Sequence, residues 1–183
     1  FVCAVQSLTR IPTPQLAGFQ PEWIQQSARY YPLVGQIVGG LSALILYGAA
    51  QVWSPWIAAL LAVGAGIVLT GAFHEDGLAV RADGLGGGLT RARRLEIMKD
   101  SRLGSYGALA LGLTMALRVA ALAMLTQVSP LFAAIALLAS HGLGRAAAVA
   151  AMTIMPYGGD PGKAKEEKPD RAPFAGLTVR VLI

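Results

Sequence analysis

GAFHEDGLAVRADGLGGGLTRARRLEIMKDSRLGSYG, residues 71–107, is the polar stretch around which the rest of the chain is arranged. It holds five of the ten carboxylates: Glu75, Asp76, Asp83, Glu96 and Asp100. It also holds six of the fifteen Lys and Arg: Arg81, Arg91, Arg93, Arg94, Lys99 and Arg102. On either side the chain is apolar. Residues 33–50 are eighteen without a charge, and residues 53–72 are twenty. Residues 106–125 are interrupted only by Arg118, and residues 131–155 contain His141 and Arg145. At ~1.5 Å per helical residue, runs of this length match a hydrocarbon core of about 30 Å. They predict an all-α, polytopic membrane bundle with at least four transmembrane helices in a single integral membrane domain, residues 1–183.

Composition agrees with that reading. The chain is 55% hydrophobic and 14% charged, with mean hydropathy +0.55, whereas soluble domains carry roughly 25% charged residues. A net charge of +5 and a pI near 9.7 would suit nucleic acid if the cations formed one stripe, but they do not, so no nucleic-acid partner is expected. The partner expected is the lipid bilayer. The spans are rich in glycine, with Gly35, Gly39, Gly40 and Gly48 in the first and Gly64 and Gly66 in the second. Small residues let membrane helices approach closely and are compatible with a homo-oligomer. Cys3 is the single cysteine, which excludes an intrachain disulfide. The start at Phe1 inside an apolar run, and the closing VRVLI, predict a fragment with further C-terminal helices.

Orientation follows from the cations. Residues 9–32, 73–105 and 156–173 carry two, six and four Lys/Arg, whereas the short turns between hairpin helices carry none. The positive-inside rule then puts residues 73–105 on the cytoplasmic face of a bacterial or archaeal inner membrane. Asp160, Lys163 and Lys165 are expected to border the same mouth or to form a solvated loop.

In residues 71–107 acids come first, then glycines (Gly84, Gly86, Gly87 and Gly88), then a basic run. Carboxylates suit a hard cation such as Mg²⁺, which binds through one or two of them plus substrate phosphates. Arginines suit the remaining phosphate charge. On a helix, Asp76 and Asp83 lie seven apart on one face, with Val80 between them. The glycines could cradle phosphate with backbone N–H groups or form a plain turn. His74 could be a base, a ligand or a helix-end residue. Lys99, Asp100 and Arg102 stand just before the third span, where a phosphate would be gripped at the membrane surface. Arg118, His141 and Arg145 lie inside spans, where charges are expensive and face a cavity or a partner. His141 and Arg145 share a face, four residues apart. They either line a substrate cavity or pair with a carboxylate from another helix.

FHEDGLA (73–79), ADG (82–84), GGG (86–88) and LEIMKDSRLGSYG (95–107) together resemble the cobalamin synthase family, the adenosylcobinamide-GDP ribazoletransferases. SLTRIPTP (7–14), RYYPLVG (29–35) and SHGLGRAA (140–147) extend the resemblance over most of the chain. The family pattern has an aspartate where this chain has Val80. The resemblance implies a Mg²⁺-dependent membrane transferase. It would join adenosylcobinamide-GDP to α-ribazole or its 5′-phosphate and release GMP late in cobalamin biosynthesis. It implies Glu75, Asp76 and Asp83 on the metal, His74 or Glu75 as base, and Arg94, Lys99, Asp100, Arg102, His141 and Arg145 at the substrate. The other enzyme reading is a CDP-alcohol phosphatidyltransferase, whose longer spacing of four acids is not reproduced. A transporter would place its charges at mid-span, not densely in one segment.

Overall fold

The computed structural model describes residues 1–154 apart from Gln15, Ala17, Phe19, Pro21 and Ser101. The polar segment 156–173, with Asp160, Lys163 and Lys165, lies outside the described residues, as does the fourth expected span's last residue.

Among the described residues every regular element is helical. The helices are α1 (Val2–Leu8), α2 (Glu22–Ser27), α3 (Tyr31–Ala49), α4 (Pro55–Thr70), α5 (Phe73–Gly87), α6 (Arg91–Ile97), α7 (Ser105–Val128) and α8 (Pro130–Ile154). A 3₁₀ turn, Ala28–Tyr30, joins α2 to α3. Local chemistry sets several ends. Pro55 opens α4, where its missing N–H is harmless. Pro130 opens α8 directly after Ser129, whose hydroxyl accepts the Phe132 N–H at 3.2 Å.

Three stretches are long and apolar enough to cross a bilayer: Glu22–Ala49, Ser105–Val128 and Pro130–Ile154. This is the architecture of a multi-pass membrane bundle. The expected second span divides differently. Helix α4 has 16 residues, about 24 Å, which is short for a full crossing. The chain then bends by 88° into α5. Counted as one broken span, α4 and α5 bring the total to four. Residues 73–105, the polar segment expected between spans, are largely helix, as the shared face read for Asp76 and Asp83 required for its first part. The expectation followed charge and missed the break, which two residues make. Gly71 ends α4 with φ +64 and Ala72 follows at φ +61. The Ala72 N–H closes back on the Ile67 carbonyl at 2.9 Å, a six-to-one bond typical of a helix end.

The described chain forms two compact units. One comprises residues 1–39 with residues 138 onward. Its core is Ala4, Val5, Leu8, Ala28, Tyr31, Val34 and Val149. Within it, Gly35 and Gly39 of α3 sit so close to α8 that a Cβ at either would strike the backbone or side chain of His141. The other unit comprises residues 40–137. There α4 and α5 each pack on α7, and α6 folds onto α5.

Candidate functional site

Helix α5 presents Glu75, Ala79, Asp83 and Gly84 as its buried stripe. The first three recur every four residues, the ridge that helices interdigitate when they pack. The heptad Asp76–Val80–Asp83 is therefore not the organising face. Asp76 is exposed, Val80 half-buried and Asp83 buried. The apolar Ala79, flanked by two acids at i±4, decides which side of α5 meets α7.

Glu75 lies in the first turn of α5 and is 9% exposed. Its Oε1 accepts a hydrogen bond from Arg118 Nη1 at 2.8 Å, an ion pair between residues 43 apart. Arg118 is on α7, about 20 Å along the helix from its first residue at ~1.5 Å per residue. An arginine at that depth costs roughly 2.5–3.5 kcal/mol on insertion scales, and the carboxylate from α5 offsets part of it. The second oxygen, Oε2, is buried and has no hydrogen-bond partner among the described residues. A buried carboxylate oxygen without a donor is costly to leave in that state.

Asp83 does something else. Its Oδ2 accepts the Gly104 N–H and its Oδ1 the Gly107 N–H, both at 2.8 Å. Gly104 is the N-cap position of α7 and has no side chain to cap with. Asp83 supplies the cap from α5, satisfying two donors at a helix start and placing a negative charge at its positive end. A Cβ on Gly104 or Gly107 would collide with the Asp83 carboxylate, which explains the G-S-Y-G spacing.

The glycine cluster is packing surface. It lies in and just after the last turn of α5. A Cβ on Gly84 would meet Met98, one on Gly86 the ring of Tyr106, and one on Gly88 the side chain of Arg94. The phosphate-cradle reading of these glycines gives way to close approach of α6 and α7.

The basic residues are individually tied. Arg94 donates from Nε to the Gly88 carbonyl at 2.8 Å, closing the end of α5. Lys99 is exposed. Asp100 accepts the Arg102 backbone N–H and two guanidinium nitrogens, with Nη2 at 2.7 Å. These hydrogen bonds from Arg102 hold the Asp100 carboxyl down to about 2 and raise Arg102 above its ordinary value. His74 is exposed and stacks edge-on against Phe73, ring centroids 5.5 Å apart. In the other unit, Arg145 is 7% exposed and donates from Nη1 to the His141 carbonyl at 3.0 Å, with His141 Nδ1 at 3.3 Å. Glu75, Asp76 and Asp83, expected together on one metal, do not form a three-ligand group among the described residues.

The sequence compares with known proteins along its whole length. The family model described as cobalamin-5-phosphate synthase matches residues 1–183. The chain belongs to that family. A curated relative from Leptothrix cholodnii, named adenosylcobinamide-GDP ribazoletransferase, is 52% identical over 165 residues, 90% of this chain and 62% of the relative. Relatives of the same name come from Azorhizobium caulinodans and Vibrio cholerae. The first is 48% identical over 84% of this chain and 60% of its own length; the second is 41% identical over 100% and 69%. The chain spans less than two thirds of the length of the first relatives it matches, 57–64% for three of them. No solved structure matches it.

A divalent metal, implied by the family resemblance, can be tested against these side chains. Glu75 Oε2 is an orphaned buried acceptor, and Asp76 is the neighbouring exposed carboxylate. That donor chemistry suits a cation that takes one or two protein carboxylates and completes its shell with phosphate and water. Asp83 fits less well, because each oxygen already accepts a backbone N–H. Sequence reasoning found Glu75, Arg118 and Asp83 separately but not their partners. The available signal was the lone charge in residues 106–125, which called for a carboxylate from another helix.

Proposed function

We propose that this protein is the phosphotransferase its relatives are named for. Adenosylcobinamide-GDP and α-ribazole, or α-ribazole 5′-phosphate, are the substrates. The ribazole hydroxyl oxygen bonds to the phosphorus that carries the adenosylcobinamide. The bond from that phosphorus to the bridging oxygen breaks, and GMP leaves with that oxygen. The hydroxyl proton passes to a carboxylate or imidazole, for which Glu75 and His74 are the candidates. The product is adenosylcobalamin or its 5′-phosphate. The observation that carries the reading is Glu75: a buried carboxylate at a helix break, with Oε1 held by Arg118 and Oε2 without a partner among the described residues.

Mg²⁺ is part of the proposal. Glu75 and Asp76 would hold it, and it would stabilise charge on the transferring phosphate. Asp83 would contribute by fixing the start of α7, and with it the segment bearing Lys99, Asp100 and Arg102. Lys99 and the outward face of Arg102 are the first phosphate contacts to test, followed by Arg94. His141 and Arg145 are proposed to line the substrate cavity. The site is proposed to face the cytoplasm of an inner membrane.

The test is mass spectrometry of membranes carrying the protein after incubation with adenosylcobinamide-GDP, α-ribazole and Mg²⁺. The joined product and GMP should appear in equal amounts, and Glu75→Gln membranes should form neither. Equal product from both membranes would remove Glu75 from the mechanism, and product from neither would remove the assigned reaction. A cysteine replacing Arg93 should be labelled from the cytoplasmic side alone.

A further inference from the structure

We propose that Arg118 is a positioning residue for the metal site. It holds Glu75 by one oxygen at the α4–α5 break and turns the other toward a divalent cation. The proposal rests on the reading of Glu75 as a metal ligand and goes beyond it, because Arg118 itself touches neither metal nor substrate.

Three observations carry it. First, the pair is asymmetric. Arg118 Nη1 binds Oε1 at 2.8 Å, while Oε2 is shielded from solvent with no partner among the described residues. An arginine serving only as a counter-charge would be best satisfied by a two-pronged grip on both oxygens. This one leaves an acceptor over. Second, the partners are not equally buried. The Glu75 side chain is 12% exposed and that of Arg118 36%. The carboxylate is therefore the more enclosed partner, and its second oxygen depends on what meets it inside the protein. Third, the backbone fixes where the carboxylate starts. Gly71 and Ala72 both adopt left-handed conformations, and Glu75 follows within the first turn of α5. Discontinuous membrane helices commonly put such a turn where an ion or anionic ligand binds. Here the orphaned oxygen, rather than the helix end, identifies the ligand as a cation. Groups that orient a metal ligand from behind typically change metal affinity 10–100-fold when altered.

The experiment uses the full-length protein in its native bilayer. Wild type, Arg118→Lys, Arg118→Gln and Glu75→Gln are compared by two readouts that need no turnover: Mn²⁺ binding by electron paramagnetic resonance, and the Mg²⁺-induced rise in thermal stability. Lysine keeps the charge but loses the planar geometry, so Arg118→Lys should assemble and bind Mn²⁺ roughly tenfold more weakly. Arg118→Gln should bind at least as weakly, and Glu75→Gln should show no binding. If Glu75→Gln alone loses Mn²⁺ while both Arg118 variants keep wild-type affinity, Arg118 is a counter-charge only. The proposal is then overturned and the Glu75 reading stands. If Glu75→Gln binds Mn²⁺ normally, the Glu75 reading fails and takes this proposal with it. An Arg118→Lys protein that does not assemble in the membrane makes the pair a structural staple, which also overturns the proposal.

Discussion

Two arginines sit within apolar helices of this chain: one bonds to a carboxylate on another helix, and the other bonds within its own helix while its side chain packs against Gly35 of α3. Arg118 reaches out of α7 to Glu75 on α5. Arg145 turns back by one helical turn to the carbonyl and ring of His141 on its own α8. Arg145 lies where Gly35 brings α3 against α8, whereas the close glycines at the start of α7, Gly104 and Gly107, lie beside Asp83 and more than two turns from Arg118. A bond within one helix survives as long as that helix does. A bond between helices makes the position of one depend on the other, and can therefore transmit a shift to the group it holds. The α5–α7 contact has this second character at both ends, through Glu75–Arg118 and through Asp83 with Gly104 and Gly107.

The largest expected effect comes from removing the carboxylate of the inter-helix pair. Glu75→Ala leaves Arg118 without its partner and should destabilise the protein by about 3 kcal/mol, with complete loss of product. Thermal denaturation and the product assay read the two effects separately. Arg145→Ala should weaken substrate binding more than it lowers the denaturation midpoint. A larger loss of stability than in Glu75→Ala would reverse the contrast drawn between the two arginines.

Close approach offers the next break. Gly107→Ala puts a Cβ against Asp83 and the Ala79 carbonyl, and should cost about 1–3 kcal/mol by overpacking. Gly112→Ala, on the same helix with nothing within 4 Å, should be neutral or stabilise by up to about 1 kcal/mol. Equal effects at the two positions would mean that the helices do not meet as described. Asp83→Ala removes the cap of α7 and should cost about 1 kcal/mol, leaving Mn²⁺ affinity close to wild type. A loss of affinity as large as that of Glu75→Gln would return Asp83 to the metal shell.

Val80→Asp sharpens the same question on the outer face of α5. It places a carboxylate one turn from Asp76, and Mg²⁺ affinity should rise modestly with turnover. No change in either would confine the site to the Glu75 side. The smallest effect belongs to the exposed loop. Asp100 is held at about 2, below its ordinary 3.8, first by the side-chain bond from Arg102. The sign follows from this depression: the contribution is fully present above about 3.8 and is lost as pH falls through about 2. Between pH 5 and 8 the loop should be unaffected. A carbon-13 titration should find the Asp100 midpoint near 2 and, in Arg102→Gln, nearer 3.8.

Much of the architecture was legible in the sequence because long uncharged runs have few alternatives. Residues 106–125 and 131–155 fall within or almost wholly within α7 and α8. The broken span was not legible. Hydropathy falls at His74, Glu75 and Asp76, but nothing in it shows the 88° bend that the left-handed Gly71 and Ala72 make. The chemistry of the segment was legible as acids, glycines and cations. Its wiring was not, because the partners of Glu75 and Asp83 lie 43 and 21–24 residues away, beyond any local spacing rule. The role of the glycine cluster was left open for a related reason, since a backbone that approaches a ring or a methionine uses the same residue as one that approaches a phosphate.

Those separations also have a meaning in time. Chains are made at ~5–20 residues per second, so Arg118 follows Glu75 out of the ribosome by roughly 2–9 s at that rate. Until then α5 carries acids without the groups that satisfy them in the finished protein. The buried acids of α5 are thus satisfied only once α7 has been made, although α5 itself is complete well before.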